Sequence, residues 1–379
     1  MRNKKTLLSG AVIMIALFIS SCKKDFPPNC NCNPNDLVAT TSVFASGLNN
    51  PRGLKFGPDG NLYLAEGGIG GTNSSAGQCD QVVPPIGPYT GSTTGSRILK
   101  FSKNGTATTV ADNLPSSQTD PGQGSLVSGV GDIAFIGNKL YGVLAGAGCS
   151  HGVPTIPNGI VKVLPNAKWD LVADLSTFQK NNPVANPFLG DFEPDGTWYS
   201  MISSGGDLYA MEPNHGEIDK IDQWGHISRV IDISATQGHI VPTSMVMHNG
   251  EIYFVNLSTF PITGNSDVYK ISHNGTISVV ASGFSMATGI AFDEIGGIYV
   301  LESTTNNPFP TPGTGDVIRI DPSGSRITLV SGLSVPTAMT FGPDNNLYIS
   351  NFGYGAPPGV GEIWKVQITC AKQTLKKAS

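Results

Sequence analysis

Charged residues are scarce in this chain of 379 residues: Asp, Glu, Lys and Arg together make up 13% of it. Of the 23 basic residues, three lie within the first five positions, and there are 28 acidic residues. Without Arg2, Lys4 and Lys5, 20 basic residues stand against 28 acidic ones, a net charge of about −8. Nucleic acid is therefore excluded as a partner, because it needs a positively charged surface.

Histidines are also few. There are six, and none has the His-x-x-x-His spacing of a metal site. His151, His215 and His239 are expected on one face of the molecule, each as a general base or as a solvated loop residue. No phosphate-binding loop is present either, so these motifs assign no reaction class.

The chain begins with a segment typical of an export signal. Arg2, Lys4 and Lys5 precede an apolar run, Leu7–Ser20, that is too short to span a bilayer comfortably, and Cys22 follows. Small residues directly before a cysteine resemble the lipobox of bacterial lipoproteins, whose new N-terminal cysteine carries acyl chains. We predict a signal peptide over 1–21, lipidation at Cys22, a flexible tether over 22–40 and a place in the bacterial cell envelope, periplasmic or at the outer-membrane surface.

A unit of about 45 residues repeats six times after the tether. Its second strand ends in Leu/Ile-Tyr-x-x-Glu/Asn or a close variant, its third follows the type Ile-x-Lys-Ile, and its fourth ends near Ser-Gly. The tyrosine is present in every copy, as Tyr63, Tyr141, Tyr209, Tyr253, Tyr299 and Tyr348. Four-stranded antiparallel units of this length predict an all-β propeller of six blades over 41–370, followed by a C-terminal tail over 371–379.

The last unit ends near Thr369 after only three strands. Its missing fourth strand is predicted at the other end of the chain, where Ser42–Leu48 copies the pattern of Leu329–Leu333. The ring then closes without an exposed sheet edge. A linear solenoid is the alternative, but it needs no complementary terminal strands.

The stretch Asn50–Glu66, followed by a Gly-rich loop that bears Cys79, resembles the opening of ScyD/ScyE family proteins, named for scytonemin-biosynthesis clusters. The resemblance runs from about Thr41 to Thr369. More distantly, the units are similar to NHL repeats and to the six-bladed group that holds gluconolactonase, regucalcin and strictosidine synthase. The ScyD/ScyE resemblance implies a secreted propeller and offers no settled reaction to transfer.

Loop lengths predict where a binding surface lies. The connections between second and third strands are long, and we call their side of the ring the long-loop face; the opposite side, with tight turns such as Gly57–Asn61, is the short-turn face. Aromatic residues of the long loops form either a partly apolar rim for a ligand or lids that pack on each other. The ligand-binding candidates are Arg52 and Tyr199 at the start of first strands, with Tyr89, Phe309, Phe352 and Tyr354 on the loops.

At equivalent positions, the second strands end in side chains whose oxygen atoms could coordinate a metal ion. Oxygen ligands that converge on a channel suit Ca²⁺ or Mg²⁺, which can activate water. The same positions also suit carboxylates that accept backbone N–H groups where a loop begins. The metal-site candidates are Glu66, Glu212, Asn256, Glu302 and Asn351.

A second ring lies at the entrance to the first strands. It lacks the acidic and amide side chains that a lactonase metal site is expected to have, which counts against a gluconolactonase-like enzyme. Its members are Arg52, Gly131, Tyr199, Thr243, Thr288 and Thr337.

Five cysteines follow Cys22, and an exported chain favours disulfides over thiolate catalysis. Cys79 and Cys149 lie in corresponding loops of adjacent units, so we predict that they bond and pin the long-loop face. Cys370 could reach Cys30 or Cys32 near the ring closure.

Two functions remain open from the sequence. One is a binding propeller that holds a small molecule, glycan or protein partner on its long-loop face, favoured by the absence of a catalytic constellation. The other is a metal-dependent hydrolase or a strictosidine-synthase-like enzyme in the central channel, favoured by the carboxylates that end the second strands. Carboxylates bonded to local backbone would support the first, and convergent buried carboxylates the second.

Overall fold

The computed structural model describes residues 36–119, 126–259, 264–306 and 310–371. The predictions of a signal peptide, of lipidation at Cys22 and of a ligand contact at Phe309 fall outside these ranges. The two helices in the described ranges, α1 (Leu175–Asn181) and α2 (Ser234–Gln237), are too short to cross a membrane.

The described chain forms six antiparallel sheets, as the repeats predict. Blade 1 contains β2 (Pro51–Phe56), β3 (Leu62–Glu66), β4 (Thr90–Phe101), β5 (Ala107–Gln118) and β6 (Val127–Ser128), and blade 2 contains β7 (Val130–Ile136), β8 (Lys139–Leu144), β9 (Gly159–Val163) and β10 (Trp169–Asp174). Blade 3 contains β11 (Ser200–Ser204), β12 (Asp207–Glu212), β13 (Glu217–Ile221) and β14 (Ile227–Asp232), and blade 4 contains β15 (Pro242–His248), β16 (Glu251–Asn256), β17 (Ser266–Ile271) and β18 (Ile277–Phe284). Blade 5 contains β19 (Ala287–Phe292), β20 (Ile298–Glu302), β21 (Gly315–Ile320) and β22 (Arg326–Leu333).

Blade 6 joins the two ends of the chain. It contains β23 (Ala338–Phe341), β24 (Leu347–Asn351) and β25 (Gly361–Cys370), and its outer strand is β1 (Leu37–Leu48). β1 pairs with β25 from Leu37↔Cys370 to Leu48↔Gly361. The predicted closure by an N-terminal strand is confirmed.

Blade 1 is more extended than its repeat pattern predicts. Its third strand starts at Thr90 instead of Ile98, and a two-residue strand, β6, adds to the outer edge through Ser117↔Ser128 and Gln118↔Val127. Small and polar residues fill the added segment of β4, so no apolar alternation marked it as a strand.

The hydrophobic core is divided among the blade interfaces. Six clusters of buried residues lie within the described chain, and each draws its members from two neighbouring blades. One blade alone would leave both faces of its sheet exposed, so stability requires the neighbouring blades.

The repeated tyrosine explains how most of these interfaces form. In four of the six blades it packs against a phenylalanine at the end of the first strand of the next blade, with ring centroids about 5 Å apart, in the edge-to-face arrangement that aromatic rings favour. The pairs are Tyr63–Phe135, Tyr253–Phe292, Tyr299–Phe341 and Tyr348–Phe56. Tyr209 and Met247 both pack against the core cluster between blades 3 and 4.

Candidate functional site

The first strands of the six blades surround a central channel with a volume of about 430 Å³. Its end at the long-loop face is lined by buried residues: Arg52 is 6% exposed, Thr288 3% and Thr337 2%. At the short-turn face the lining residues Phe56, Phe135, Met247, Phe292 and Phe341 are half-buried, and Ser203 is exposed. The long-loop end is therefore the more buried of the two, and we call it the closed end; the other end lies at the short-turn face.

A tyrosine crosses the closed end. Tyr199 belongs to blade 3, and its hydroxyl donates to the carbonyl of Thr337 in blade 6, 2.8 Å away. Blades 3 and 6 are opposite each other in a six-membered ring, so this hydrogen bond spans the channel. Burial raises the pKa of Tyr199, which keeps its hydroxyl protonated.

Threonines at the closed end link neighbouring blades. The hydroxyl of Thr243 donates to the carbonyl of Ala287 at 2.7 Å, and that of Thr337 donates to the carbonyl of Pro51 at 2.7 Å. Thr288 does the same toward Pro336 at 3.0 Å. These threonines of the predicted entrance ring hold neighbouring blades in register, because each hydroxyl donates a hydrogen bond to a carbonyl of the next blade.

Arg52 also lies at the closed end. Its Nη2 donates to the carbonyl of Val127, and its guanidinium lies 4.8 Å from the ring centroid of Tyr354. Tyr354 and Phe352 are half-buried. The structure thus brings together Arg52, Tyr199 and Tyr354 from the predicted ligand-binding set, as a lid on the channel instead of an open rim.

Tyr89, a further member of that set, belongs to a buried polar network beside the lid. Its hydroxyl donates to Glu193 at 2.7 Å, and Glu193 also lies 3.4 Å from Nε2 of His151. Nδ1 of His151 is 3.0 Å from the hydroxyl of Ser117. Burial, together with the charge of Glu193, raises the pKa of Tyr89 well above its usual value. His151 and Ser117 are fully buried, so a general-base role for His151 has no solvent access.

Sequence reasoning did not single out Glu193 or Ser117. Glu193 lies in the irregular insertion before blade 3, and Ser117 lies in an outer strand, so neither has a partner within its own repeat.

Sequence reasoning also missed a Gly-x-Ser-x-Gly pattern at Gly148–Gly152. In the structure Ser150 is fully buried and donates to Asp195 at 2.7 Å, with no histidine among its hydrogen-bond partners in the described ranges. It does not have the geometry of an exposed nucleophile.

The residues that end the second strands bind local backbone. Glu212 accepts N–H groups from Thr197 at 2.8 Å and His215 at 2.6 Å, and Glu66 accepts from Asn49 at 2.9 Å and pairs with Arg97. Asn256 accepts from Asp267, Asn351 from Ser334, and Glu302 from Ser285. Across the described ranges no three His, Cys, Asp or Glu side chains lie close enough to hold a metal ion. The structure does not assemble the predicted Ca²⁺ or Mg²⁺ site from these residues.

A lactonase-type metal does not fit the channel either. The entrance ring offers hydroxyls and one arginine, and among the described residues that line the channel the only carboxylate is Asp132. Its oxygens accept N–H groups from Ile133 at 2.8 Å and Met201 at 2.9 Å, and it pairs with Lys55 at 3.3 Å. A single carboxylate already bound to a lysine is a poor site for a divalent cation.

The disulfide between Cys79 and Cys149 is present, with a Cα–Cα distance of 6.3 Å, as predicted. It joins the long loops of blades 1 and 2. Cys370 is also disulfide-bonded.

The six-bladed fold is shared by known proteins. A protein described as an oxidoreductase (glucose dehydrogenase) from Thermus thermophilus matches 87% of this chain and all of its own, at 15% identity and a TM-score of 0.53. A gluconolactonase from Xanthomonas campestris matches 87% of this chain and 90% of its own, at 10% identity and a TM-score of 0.54. At these identities the likeness shows the fold alone.

No protein-family model and no curated protein matches the chain. The ScyD/ScyE resemblance therefore stays a prediction, and the hydrolase alternative rests on the fold.

Proposed function

We propose that this chain is a lipid-anchored binding protein of the cell envelope that holds a small molecule in its central channel. The observation that carries the proposal is a channel of about 430 Å³ with a Tyr199–Thr337 hydrogen bond across its more buried end and half-buried or exposed residues at the other. This volume lies in the range of small-molecule sites, which are concave, largely apolar and supplied with a few polar groups. The sequence favoured the long-loop face, but Tyr354 of the long loops lies over Arg52 at the closed end of the channel, and Tyr89 belongs to the buried network beside it.

The channel wall has the mixed character that such sites need. Apolar side chains such as Ile202, Val246 and Ile290 line its middle, and Lys55 and Asp132 form one ion pair on the wall. A ligand that enters from the short-turn face would bury its apolar part against this wall.

The test uses Nile red, an uncharged apolar dye whose fluorescence rises in an apolar site. Thr340 is half-buried on the channel wall, so Thr340→Trp should fill the channel. Thr108→Trp, on the exposed face of β5, is the matched control. We expect saturable binding to the unchanged protein and to the control, and loss of binding in Thr340→Trp. Equal binding to all three proteins, or none to the unchanged one, would disprove the proposal.

The anchor is tested separately. The full chain, expressed in a bacterium that processes lipoproteins, should partition into the detergent phase and show the mass of an acylated cysteine, and Cys22→Ser should abolish both. An unacylated mature chain would show that the leader is an ordinary signal peptide.

A further inference from the structure

Arg52 is a buried cation without a carboxylate partner in the described part of the chain. The other described arginines that are buried or half-buried each pair with a carboxylate: Arg97 with Glu66, Arg229 with Glu217 and Arg319 with Asp293. Arg52, at 6% exposure, has no such ion pair. Its contacts are the carbonyl of Val127, the ring of Tyr354 and the hydroxyl of Tyr199.

A buried guanidinium without a counter-ion is costly, because removal of the charge from water is not offset by an ion pair. Arginine also has five N–H donors in a planar fork, more than the carbonyl of Val127 and the hydroxyl of Tyr199 use. Such a group is suited to bind a carboxylate or sulfonate through paired hydrogen bonds.

The neighbouring acidic groups each lie beside another partner, although Oε2 of Glu193 makes no hydrogen bond in the described chain. Asp132 pairs with Lys55 and accepts backbone N–H groups. Glu193 accepts from Tyr89 and lies beside His151, and Asp191 pairs with His239 at 3.2 Å. With Lys55 balanced by Asp132, the residues that line the channel have a net positive charge from Arg52.

We propose that the closed end of the channel binds the anionic head group of a small organic acid, with Arg52 as its counter-ion and Tyr199 as a neutral hydrogen-bonding neighbour. The apolar body of the acid lies along the channel toward the short-turn face. This inference rests on the proposed function, since it names the ligand class of the same channel.

The test compares two ligands of nearly equal shape in the unchanged protein. 1-Naphthoate carries a carboxylate and 1-naphthamide the uncharged amide, and each is titrated against bound Nile red. We expect the naphthoate to displace the dye at a concentration about tenfold lower, because a hydrogen-bonded charge at a buried site is worth roughly that factor. Equal displacement by the two ligands would overturn the inference while leaving the proposed function intact.

Variants of Arg52 test whether this residue causes the preference for naphthoate over naphthamide. Arg52→Gln should abolish it, and Arg52→Lys should keep part of it. Lys270→Met is the control, since Lys270 pairs with Glu251 and neither residue lines the channel. A preference that persists in Arg52→Gln, or one that is lost in Lys270→Met, would contradict the assignment. Failure of Nile red itself to bind in the channel would instead refute the proposed function.

Discussion

At the scale of single residues, Glu302 and Asp316 form a pair of neighbouring carboxyl groups with raised pKa values near the long-loop face. Glu302 ends β20 and lies beside Asp316 of β21, its direct cross-strand partner. Burial, followed by the hydrogen bond with Asp316, raises the pKa of Glu302 to about 8. Burial also raises the pKa of Asp316. Each is thus more easily protonated in the folded state than in the unfolded one, so the pair disfavours full ionisation.

This pair predicts how stability depends on pH. Because the folded pKa of Glu302 lies above its unfolded value of about 4.5, its favourable contribution is complete below pH 4.5 and is lost as the pH rises toward 8. The melting temperature should therefore fall between pH 5 and pH 8.5, and Glu302→Gln should reduce that fall. Calorimetry over this range measures it, with Glu294→Gln on an exposed turn as the control. An unchanged pH profile in Glu302→Gln would contradict the prediction.

Tyr199 gives a second prediction at this scale. Tyr199→Phe removes the hydrogen bond to Thr337 and leaves a buried carbonyl with one partner fewer, which should lower the free energy of unfolding by about 1 kcal/mol. Denaturant titration measures the loss. Tyr209→Phe is the control, because the hydroxyl of Tyr209 makes no hydrogen bond within the described chain. A loss in Tyr199→Phe no greater than in the control would show that the bond across the channel adds no stability.

At the scale of elements, the short-turn face is built by repetition. In blades 1 and 6 an aspartate of the first turn accepts from the repeated tyrosine and pairs with a lysine of the third strand: Asp59 with Tyr63 and Lys100, and Asp344 with Tyr348 and Lys365. Blade 5 uses Asp293, Tyr299 and Arg319. These charged residues therefore orient the tyrosines that pack between blades. Their repetition has a structural cause.

The long-loop face depends instead on one covalent link. Cys79–Cys149 closes a segment of 70 residues, and such a cross-link stabilises a protein by about 2–4 kcal/mol, mainly by restricting the unfolded chain. The double variant Cys79→Ser/Cys149→Ser should lose about this much in the free energy of unfolding. Denaturant titration without reductant measures it, and a peptide map of the unchanged protein should show the two cysteines linked. Equal stability, or a different linkage, would contradict the prediction.

At the scale of the whole molecule, closure by β1 makes the six blades one unit. Tyr348 of blade 6 packs on Phe44 of β1 and on Phe56 of blade 1, with ring centroids 5.2 Å and 5.1 Å apart. Leu48 of β1 is buried in the same cluster. Loss of β1 therefore exposes an edge of β25 and the core between blades 6 and 1.

Deletion of residues 36–48 should consequently destroy the single cooperative unfolding transition. Calorimetry should show a broadened transition at a lower temperature, and the deleted protein should self-associate through the free edge. Deletion of residues 23–29, which keeps Cys30 and Cys32, is the control and should leave the transition unchanged. A sharp, unshifted transition after removal of 36–48 would show that β1 is not needed for closure.

The repeated unit, the blade count and the terminal closure could all be predicted from the sequence. They depend on strand alternation, turn residues and an internal copy of one pattern, which are local properties of the chain. The Cys79–Cys149 pair followed in the same way, because it lies in equivalent loops of adjacent blades.

The character of the channel was decided by the tertiary structure alone. Tyr199 meets Thr337 at a separation of 138 residues, and Tyr89 meets Glu193 at a separation of 104. Tyr199 and Thr337 occupy equivalent positions of the repeat, but periodicity does not predict a contact across the ring, and no repeat relates Tyr89 to Glu193. For the same reason, the sequence left open whether the oxygen atoms at the ends of the second strands form a metal site or accept backbone N–H groups. Position within a repeat is local, whereas the atom that a side chain finally contacts depends on how the whole ring packs.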